Sequence, residues 1–443
     1  MPIKLPKNVI YIIKTLKSKG YEAYAVGGAL RDILLHIRTY DYDITTNAKP
    51  DQVMSLFNKT VPTGIKYGTV TVILDDGKYE VTTFRRDEAY SDGRRPDIVR
   101  FTKNITDDLA RRDFTINAMA FDPITDKFID PFNGRKDIKQ KIIRTVGNPL
   151  ERFSEDGLRP FRACRFAAKL QFKVEPKTLA AIKKSLNKAK IVAPERIREE
   201  LVKMLESVKP STGLDLMRRS GLLKLVLPEL LKGHKIEQNE FHKYDIYWHN
   251  LYSCDAAPKD NMIVRMAALL HDISKPECKE GPTFYGHDQA GVEVSKTILK
   301  RLRFSNDDTA RILNLIRYHM FEYNDQWSDA AVRRFIKRVG LKNIPDLFTL
   351  RKADLSAMGR IITKDHVTVL NKRIKKILKQ STVLKVSDLN ITGHDVMRYL
   401  KLQPGPKIGK ILNELLERVL EDPALNHKFS LLKIIKGIAD DIT

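Results

Sequence analysis

The chain has 443 residues, which exceeds the length that one hydrophobic core usually supports, so we expect two to four domains. Lysine and arginine number 79 against 55 acidic residues, and the resulting charge of +24 favours a polyanionic partner such as nucleic acid over a basic protein without one. The three cysteines form no Cys-x-x-Cys pair, which argues against a disulfide framework and a thiolate zinc site and fits a reducing cytoplasm.

The amino-terminal part of the chain predicts a small α+β head. Apolar residues at helical spacing predict a helix over 8–19. Because that region has no cleavage-like site and no long apolar run, we expect no signal peptide, no membrane span and a cytoplasmic protein. Strand-like segments follow at 21–26, 41–45, 68–74 and 79–84. The charged stretch 84–101, which contains Gly and Pro, predicts a mobile loop.

From about residue 149 to the end, helical periodicity replaces β-like alternation, and we find no repeat or low-complexity tract. The expected fold class is therefore α+β. A small head with a mixed or antiparallel sheet would be followed by an extended, all-helical body.

A glycine turn follows the strand-like segment 21–26. Gly27 and Gly28 have no side chains, so backbone N–H groups there can approach a phosphate closely. Arg31 carries a guanidinium fork that can bind a phosphate oxygen bidentately. These three residues are the first candidates for nucleotide binding.

Alternating carboxylates follow the glycine turn. Side chains two apart on a strand point to the same side, so Asp41 and Asp43 are predicted to converge on one site. They could hold divalent cations against a triphosphate, and Mg²⁺ prefers such hard oxygen ligands. Glu80, within the segment 79–84, is a candidate third catalytic carboxylate. Combined with the glycine turn, this pattern favours phosphoryl transfer over a surface acid pair beside an ordinary turn.

An arginine pair opens the segment 111–120, whose sequence is RRDFTINAMA. Arg111 and Arg112 offer two guanidinium forks to a triphosphate and a ribose. Asp113 can accept a hydrogen bond from a ribose hydroxyl, which would favour ribonucleotides. Without flanking motifs, the same residues could be a solvated charge cluster that caps a helix.

Ionic residues with a spacing of three predict one side of a helix. They are Asp156, Arg159, Arg162 and Arg165. A carboxylate beside a guanidinium matches the amino group and ring nitrogen of cytosine or adenine, whereas uracil and guanine reverse that pattern. A buried mismatch costs about 1–3 kcal/mol, so side chains could select C and A without a template. The alternative is a basic, solvated helix face. Pro160, with Gly157, weakens this helix and is expected to bend it.

Five segments then occur in one order: GGALRD with Asp41 and Asp43, RRDFTINAMA, DPFNG at 130–134 with Asp137, EDGLR at 155–159 continuing to Arg165, and ERIREEL at 195–201. In this order the chain resembles the class II nucleotidyltransferases of the polymerase β superfamily, which include CCA-adding tRNA nucleotidyltransferases and bacterial poly(A) polymerases. The resemblance implies template-independent transfer of C, C and A from CTP and ATP to the 3′ end of tRNA. It also implies two Mg²⁺ ions at Asp41 and Asp43.

The same resemblance assigns separate roles to the ionic residues. Asp156 and Arg159 would choose the base, whereas Arg162 and Arg165 would lie nearer the phosphates and sugar of the nucleotide. The residues 111–113 would recognise sugar and phosphate. All of them are therefore expected in one nucleotide-binding site.

Two rivals belong to the same family: an enzyme that adds only the terminal A, and a poly(A) polymerase. Poly(A) polymerases typically carry a Leu-Leu-Gly-Arg-Arg-Phe-like segment after the acid pair, whereas this chain has IKYGTV at 65–70, which favours tRNA as the substrate.

The loop 84–101 would reposition the head between C and A addition. A non-catalytic RNA-binding protein is an alternative from another class.

The second half of the chain also resembles the HD phosphohydrolases. The order H…HD…D of that family is matched by His249, His271, Asp272 and Asp354, with His287 and His319 as further candidates. Imidazoles and carboxylates suit a transition metal, or Mg²⁺, that activates water for phosphoester hydrolysis. Phosphohydrolysis as the main activity is thus a rival function. The alternative is a tRNA-binding scaffold whose polar residues satisfy each other.

We expect four domains: a catalytic head at 1–148, a neck with nucleotide-selecting and RNA-binding helices at 149–225, an HD-type helical domain at 226–385 and a tRNA-binding helical tail at 386–443. The tail segment 391–426 resembles that of CCA-adding enzymes with an HD region, and its basic residues would meet tRNA phosphates. The expected partners are the tRNA acceptor arm and 3′ end, CTP and ATP, without a membrane. Monomer and dimer both stay open.

Overall fold

The computed structural model describes residues 3–88, 98–240, 242–359, 366–380 and 383–441. The chain forms two compact units. The first comprises Met1–Leu231 and Arg301–Arg303, and the second comprises Lys232–Lys300 and Phe304–Thr443. In these described ranges, no helix is both long and apolar enough to cross a membrane. The division into four domains stays a prediction.

Most strands belong to one sheet in the first unit. The strands are β1 (Ala23–Val26), β2 (Asp43–Thr46), β3 (Thr60–Gly64), β4 (Thr69–Leu74), β5 (Gly77–Thr83), β6 (Arg85–Glu88), β7 (Ile98–Phe101), β8 (Ala120–Asp122), β9 (Lys127–Ile129), β10 (Ile142–Ile143) and β11 (Lys173–Val174). Seven strands pair in the order β3-β4-β5-β2-β1-β8-β9. Strands β2 and β5 are parallel and the other neighbours antiparallel. This mixed sheet, followed by helices, confirms the expected α+β class.

Several helices of the first unit contact the sheet, and the others follow it in sequence. They are α1 (Lys7–Ser18), α2 (Gly28–Leu34), α3 (Pro50–Leu56), α4 (Ile105–Ala110), α5 (Gly134–Gln140), α6 (Pro149–Glu155), α7 (Arg159–Leu170), α8 (Pro176–Lys184), α9 (Leu186–Lys190), α10 (Pro194–Leu205), α11 (Pro210–Ser220), α12 (Leu222–Val226) and α13 (Pro228–Leu231). In α1, the buried side chains Val9, Ile12, Ile13 and Leu16 recur at intervals of three and four. That spacing forms the apolar stripe with which α1 contacts β1 and β2.

The second unit is built from helices. They are α14 (Ile246–Ala256), α15 (Met262–Leu270), α16 (His287–Arg301), α17 (Asn306–Tyr318), α18 (Asp329–Val339), α19 (Ile344–Ala357), α20 (His366–Gln380), α21 (Gly393–Leu400), α22 (Pro406–Glu421) and α23 (Lys428–Asp441). Towards the end of the chain, Ile411, Leu415, Val419, Leu431 and Ile435 form part of a buried apolar cluster. This cluster packs α21, α22 and α23 together.

Three strands of the sheet were missed by the sequence prediction. Strand β3 lies at an edge, is mostly exposed and contains Pro62, which weakens its strand signal. Strand β8 is buried at every position, so it shows no alternation of apolar and polar residues. Strand β9 spans only Lys127–Ile129. Short, edge and fully buried strands lack the period on which the prediction relied.

The predicted loop 84–101 was wrong at both ends. Strands β6 and β7 pair antiparallel there, with Arg85 opposite Phe101 and Asp87 opposite Val99. Strand β6 consists of charged residues and therefore lacks the alternation of apolar and polar residues by which strands were predicted. The middle of the predicted loop, 89–97, lies outside the described residues.

Candidate functional site

The glycine turn connects β1 to α2 beside charged groups. Gly27 has a φ of +77°, a conformation that favours glycine. A Cβ atom at this position would lie 3.0 Å from Nη1 of Arg112 and 3.3 Å from Oδ2 of Asp43. Gly28 is the first residue of α2. The absence of a side chain at Gly27 therefore keeps open the space between a guanidinium and a carboxylate.

The three candidate catalytic acids come from the start of β2 and from β5. Asp43 is the first residue of β2 and Asp41 precedes the strand, so the predicted strand 41–45 begins two residues too early. Glu80 is the direct partner of Asp43 in the parallel β2–β5 ladder. Asp41 and Glu80 are exposed, whereas Asp43 is partly buried.

The carboxyl group of Asp43 resists ionisation. Burial raises its pKa to about 6; the charge of Arg112 opposes this rise, and the carboxylates of Asp41 and Glu80 add to it. A divalent cation among these acids would relieve both the repulsion and the cost of burial. The donor set therefore fits a hard cation.

Arg31 is held in place by neighbours at its own helix and beyond. Its Nη1 atom donates to Oδ1 of Asn117 at 2.6 Å, and its Nη2 atom lies 2.6 Å from Oδ1 of Asp32. Only 4% of Arg31 is exposed. The guanidinium is therefore oriented before any ligand arrives.

Asp113 is buried, and both of its oxygen atoms have partners. Oδ2 accepts hydrogen bonds from Arg162 at 2.6 and 2.8 Å, and Oδ1 accepts one from Asn117 at 3.1 Å. Burial alone would raise the pKa of Asp113, but Arg162 and then Asn117 hold it at about 2. Asp113 is thus an anion at neutral pH, and its contact with a ribose hydroxyl stays a prediction.

The predicted helical stripe is interrupted at its first member. Asp156 lies between α6 and α7 with extended backbone angles, and its Oδ1 atom accepts from the backbone N–H of Leu158 at 2.9 Å. Helix α7 begins at Arg159, so the prediction of one helix through Asp156 was wrong. Pro160 falls in the first turn of α7, where its missing N–H has no partner to lose. Proline at this position therefore gives no reason for a bend in α7.

Close packing, and not chain flexibility, explains the glycine at position 157. A Cβ atom at Gly157 would lie 2.2 Å from the carbonyl oxygen of Lys188 and 2.9 Å from Cγ2 of Val192. Backbone contact at this point positions the start of α7 against α9 and the segment that follows it.

Salt bridges hold the ionic side chains around α7. Asp156 pairs with Arg196 of α10 at 3.0 Å. Arg165 pairs with Glu200 of α10 at 2.5 Å. Arg159 pairs with Glu155 and also donates to the backbone carbonyl of Arg111 at 3.0 Å.

One open cavity of about 500 Å³ joins these groups. It is lined by Gly27, Gly28, Arg31, Asp41, Asp43, Arg111, Arg112, Asp113, Asn117, Asp156, Leu158, Arg159, Arg162, Arg165, Phe166, Lys169 and Arg196. Of the predicted site residues in the first unit, Glu80 alone is not part of this lining. We call this space the nucleotide cavity.

Sequence analysis missed several residues of the nucleotide cavity. Asn117 and Arg196 lie inside the motif segments 111–120 and 195–201, but no role was assigned to them. Phe166 was missed because apolar residues on a helix usually signal core packing. Its ring centroid lies 4.1 Å from the guanidinium carbon of Arg165, a cation–π contact.

The second unit contains a buried group of imidazoles and carboxylates. Its members are His249 of α14, His271 and Asp272 after α15, His287 of α16, His319 after α17 and Asp354 of α19. Asp272 lies at the centre. Nε2 of His271 and Nε2 of His287 are each 3.3 Å from an oxygen of Asp272, and Nε2 of His319 is 3.6 Å away. We call this group the His/Asp cluster.

The outer ring nitrogens fix the orientation of three imidazoles. Nδ1 contacts a backbone carbonyl in His271, His287 and His319, at 2.9, 2.7 and 2.6 Å. An Nδ1–H donor there would direct the lone pair of each Nε2 into the cluster. Within the described residues, Nε2 of His271 and Oδ1 of Asp272 have no hydrogen-bond partner.

Two groups of ligand atoms within the cluster are close enough to hold a metal ion. One is His249, His271 and Asp272; the other is Asp272, His287 and His319. Within each group the ligand atoms lie within 4.8 Å of one another. Although burial lowers the pKa of His271, the carboxylates of Asp272 and Asp354 raise it to about 10. His271 therefore holds a proton that compensates the charge of Asp272 and Asp354. A metal cation would compensate the same carboxylates.

Known protein families match successive parts of the chain, and known relatives align along nearly all of it. Residues 23–144 match the poly A polymerase head domain, 171–232 match a probable RNA and SrmB-binding site of polymerase A, and 288–435 match a putative tRNA nucleotidyltransferase domain 2. The CCA-adding enzyme of Enterococcus faecalis is 32% identical over 431 residues, covering 97% of this chain and 95% of the relative. That of Pediococcus pentosaceus is 34% identical over 430 residues and covers 97% of both.

This chain belongs to the CCA-adding enzyme family. The crystal structure of the Bacillus stearothermophilus CCA-adding enzyme in complex with CTP superposes with a TM-score of 0.78 at 28% identity, over 98% of this chain and 97% of the other. A Thermotoga maritima CCA-adding enzyme complexed with tRNA shares the fold, with a TM-score of 0.55 at 21% identity. The prediction of a nucleotidyltransferase of this family is confirmed. Membership of this family implies dependence on a divalent metal ion.

Proposed function

We propose that this protein adds C, C and A to the 3′ end of tRNA, using CTP and ATP without a nucleic-acid template. The observation that supports this most directly is the nucleotide cavity, which combines acids suited to a cation with arginines suited to a triphosphate. CCA-adding relatives align along nearly the full chain. A net charge of +24 supports binding of tRNA.

Phosphate binding and orientation would come from the arginines of the cavity. The backbone at Gly27 and Gly28 admits phosphate oxygens, and Arg31, Arg111 and Arg112 would bind them through guanidinium donors. Mg²⁺ held by the acid pair would lower the pKa of the terminal ribose hydroxyl and stabilise the pyrophosphate leaving group. The protein itself would supply position and charge rather than a covalent intermediate.

Asp41 and Asp43 would hold two Mg²⁺ ions, with Glu80 as the third acid beside them. The support is the carboxylate geometry at β2 and β5 and the raised pKa of Asp43. Deprotonation of Asp43 is needed before it can act as a ligand.

Selection of the base would depend on Asp156 and Arg159. Asp156 offers a carboxylate to the amino group of cytosine or adenine, and Arg159 offers donors to the adjacent ring nitrogen. Both residues line the nucleotide cavity. Arg162 and Arg165, which lie deeper along α7, would contact the phosphates and sugar. To bind the base, Asp156 would exchange its contact with Arg196 for a contact with the amino group of the base.

The test is single-nucleotide product analysis. The protein is incubated with tRNAs that end before CCA, after C and after CC, and with each labelled nucleoside triphosphate alone and together. We expect C on the first two tRNAs and A on the third. Addition of A alone, and only to the CC-ended tRNA, would favour the narrower A-adding enzyme, and long A tails on unrelated RNA would favour a poly(A) polymerase.

A second activity is supported by the His/Asp cluster. We propose that the second unit carries an HD-type metal site, held by His249, His271, Asp272 and Asp354 with His287 and His319 nearby. Two buried ligand atoms, Nε2 of His271 and Oδ1 of Asp272, make no hydrogen bond among the described residues although they lie in ion-pair contact, which favours a metal over a self-satisfied scaffold. A bound transition metal or Mg²⁺ would activate water for hydrolysis of a phosphoester such as a 2′,3′-cyclic phosphate.

Metal content and hydrolysis test this second proposal. We expect purified wild-type protein to bind a divalent ion at this site, measured by elemental analysis, and His271→Ala to lose it together with 2′,3′-cyclic phosphodiesterase activity. His394→Ala is the matched control, because His394 also precedes an aspartate but is exposed. Equal metal content in wild type and His271→Ala would contradict the proposal.

A further inference from the structure

We propose that Asp108 is a positioning residue for nucleotide binding, because its carboxylate bridges the guanidinium groups of Arg111 and Arg112. The inference rests on the proposed function, in which both arginines bind the triphosphate. Asp108 lies on α4 and is not among the residues that line the nucleotide cavity. It would therefore act through the arginines and not on the substrate.

The two oxygen atoms of Asp108 are divided between the two arginines. Oδ1 lies 2.9 Å from both Nε and Nη2 of Arg111. Oδ2 lies 3.4 Å from Nη2 of Arg112. Spacings of three and four residues place both arginines one helical turn after Asp108, which allows a single carboxylate to reach both.

A third contact ties this network to the strand of the catalytic acids. The hydroxyl of Thr45 lies 3.4 Å from Oδ2 of Asp108 and also donates to the backbone carbonyl of Thr82 at 3.0 Å. Thr45 follows Asp43 by two residues on β2, so both side chains project from the same face. Asp108 thereby relates the position of the arginines to the position of Asp43.

The burial of Asp108 makes this arrangement specific. Asp108 has 0% exposure, and a buried carboxylate is costly unless charged donors surround it. Burial would raise its pKa, but Arg111 and Arg112 hold the pKa below the ordinary value, so the group is an anion. Without that anion, two adjacent guanidinium groups would repel each other and lose their shared anchor.

Asp108→Asn tests the inference, with Asp107→Asn as the matched control. Asp107 is the adjacent residue of α4, but its carboxylate contacts Arg86 at 2.7 Å and Thr102 at 2.8 Å instead. We expect Asp108→Asn to raise KM for both CTP and ATP about tenfold, with a smaller change in kcat, because charged contacts that position the arginines are lost. Inhibition by pyrophosphate should weaken in parallel, and KM for tRNA should stay within about twofold.

Wild-type protein is assayed first, since its failure to incorporate C and A would reject the proposed function and leave the inference without a reaction. Thermal melting establishes whether each variant folds. Asp108→Glu keeps the charge in a longer side chain, and where the asparagine variant does not fold, the glutamate variant is expected to raise both KM values about threefold. A folded variant with unchanged KM for CTP and ATP, or with a loss in kcat alone, would overturn the inference.

Discussion

The nucleotide cavity and the His/Asp cluster both concentrate charge, but they satisfy it differently. Around the nucleotide cavity, salt bridges pair acids with bases: Asp113 with Arg162, Glu200 with Arg165 and Asp156 with Arg196. In the His/Asp cluster, imidazoles surround Asp272, and two ligand atoms, Nε2 of His271 and Oδ1 of Asp272, make no hydrogen bond among the described residues.

The difference indicates how each site would meet its ligand. A cavity of paired charges is stable when empty, and a nucleotide binds by taking over contacts that already exist. A cluster of converging lone pairs is stable only when a cation or a proton occupies it. The first arrangement suits a substrate that leaves after each turnover, and the second suits a resident ion.

Loss of the acid pair should separate the two sites most clearly. Asp41→Ala and Asp43→Ala are each expected to lower nucleotide incorporation at least about 1,000-fold, because the cation that stabilises the transition state loses its ligands. Hydrolysis of a 2′,3′-cyclic phosphate by the second unit should not change. Asp51→Ala, at an exposed position in the first turn of α3, is the control. Loss of both activities in Asp43→Ala would argue against two independent sites.

The pH dependence of metal binding should differ between the sites. The pKa of Asp43 is raised to about 6. Protons therefore compete with the cation for Asp43 below about pH 6, and this competition ends above that pH. The pKa of His271 is raised to about 10, so its proton must leave throughout the neutral range. From pH 7 to 9, cation affinity should level off at the nucleotide cavity and rise up to about tenfold per pH unit at the His/Asp cluster.

Isothermal titration calorimetry in buffers with different ionisation enthalpies measures how many protons are released when the cation binds at each site. His271→Ala removes the contribution of the His/Asp cluster, and Asp43→Asn removes that of the nucleotide cavity. Equal pH dependence at both sites would contradict the assignment of these two groups.

Base selection provides a smaller effect within the nucleotide cavity. Asp156→Ala should reduce the preference for CTP over UTP by about 30-fold, which corresponds to about 2 kcal/mol for one buried polar contact. The measurement is the ratio of kcat/KM for the two nucleotides. Glu151→Ala, at an exposed position of neighbouring α6, should keep the wild-type ratio. An unchanged ratio in Asp156→Ala would mean that the Asp156–Arg196 pair is only structural.

Replacement of Pro160 should have the smallest effect. Pro160 lies in the first turn of α7, where proline is well tolerated, so Pro160→Ala should change the free energy of unfolding by less than about 1 kcal/mol. Urea denaturation measures it. A larger loss of stability, or a changed preference for CTP, would show that the proline ring sets the geometry of the cavity.

Much of the site could be predicted because its residues lie in short segments with informative spacing. The glycine turn, the acid pair and the arginine pair reach one cavity from separate motifs. The path of the chain between Asp156 and Arg159 could not be predicted, because the side chain of Asp156 bonds to the backbone of Leu158 and a new helix begins after it. Spacing alone cannot distinguish that local contact from a continuous helix.

The fold shows the same limit. Helix α1 has a regular apolar period and was predicted to within one residue at each end, whereas the fully buried β8 and the charged ladder of β6 and β7 have no such period. Pairing partners of strands depend on contacts distant in sequence. The proximity of Asp43 and Glu80, in particular, follows from the β2–β5 register and not from either segment alone.

That register also determines which insertions the enzyme could tolerate. Because side chains alternate along a strand, a shift of one residue between β2 and β5 would turn Glu80 to the opposite face of the sheet and expose Val81 in its place. A residue added in the turn between β4 and β5 would leave the alignment intact. A residue added inside β5 before Glu80 would keep the fold recognisable while removing Glu80 from the proposed catalytic group.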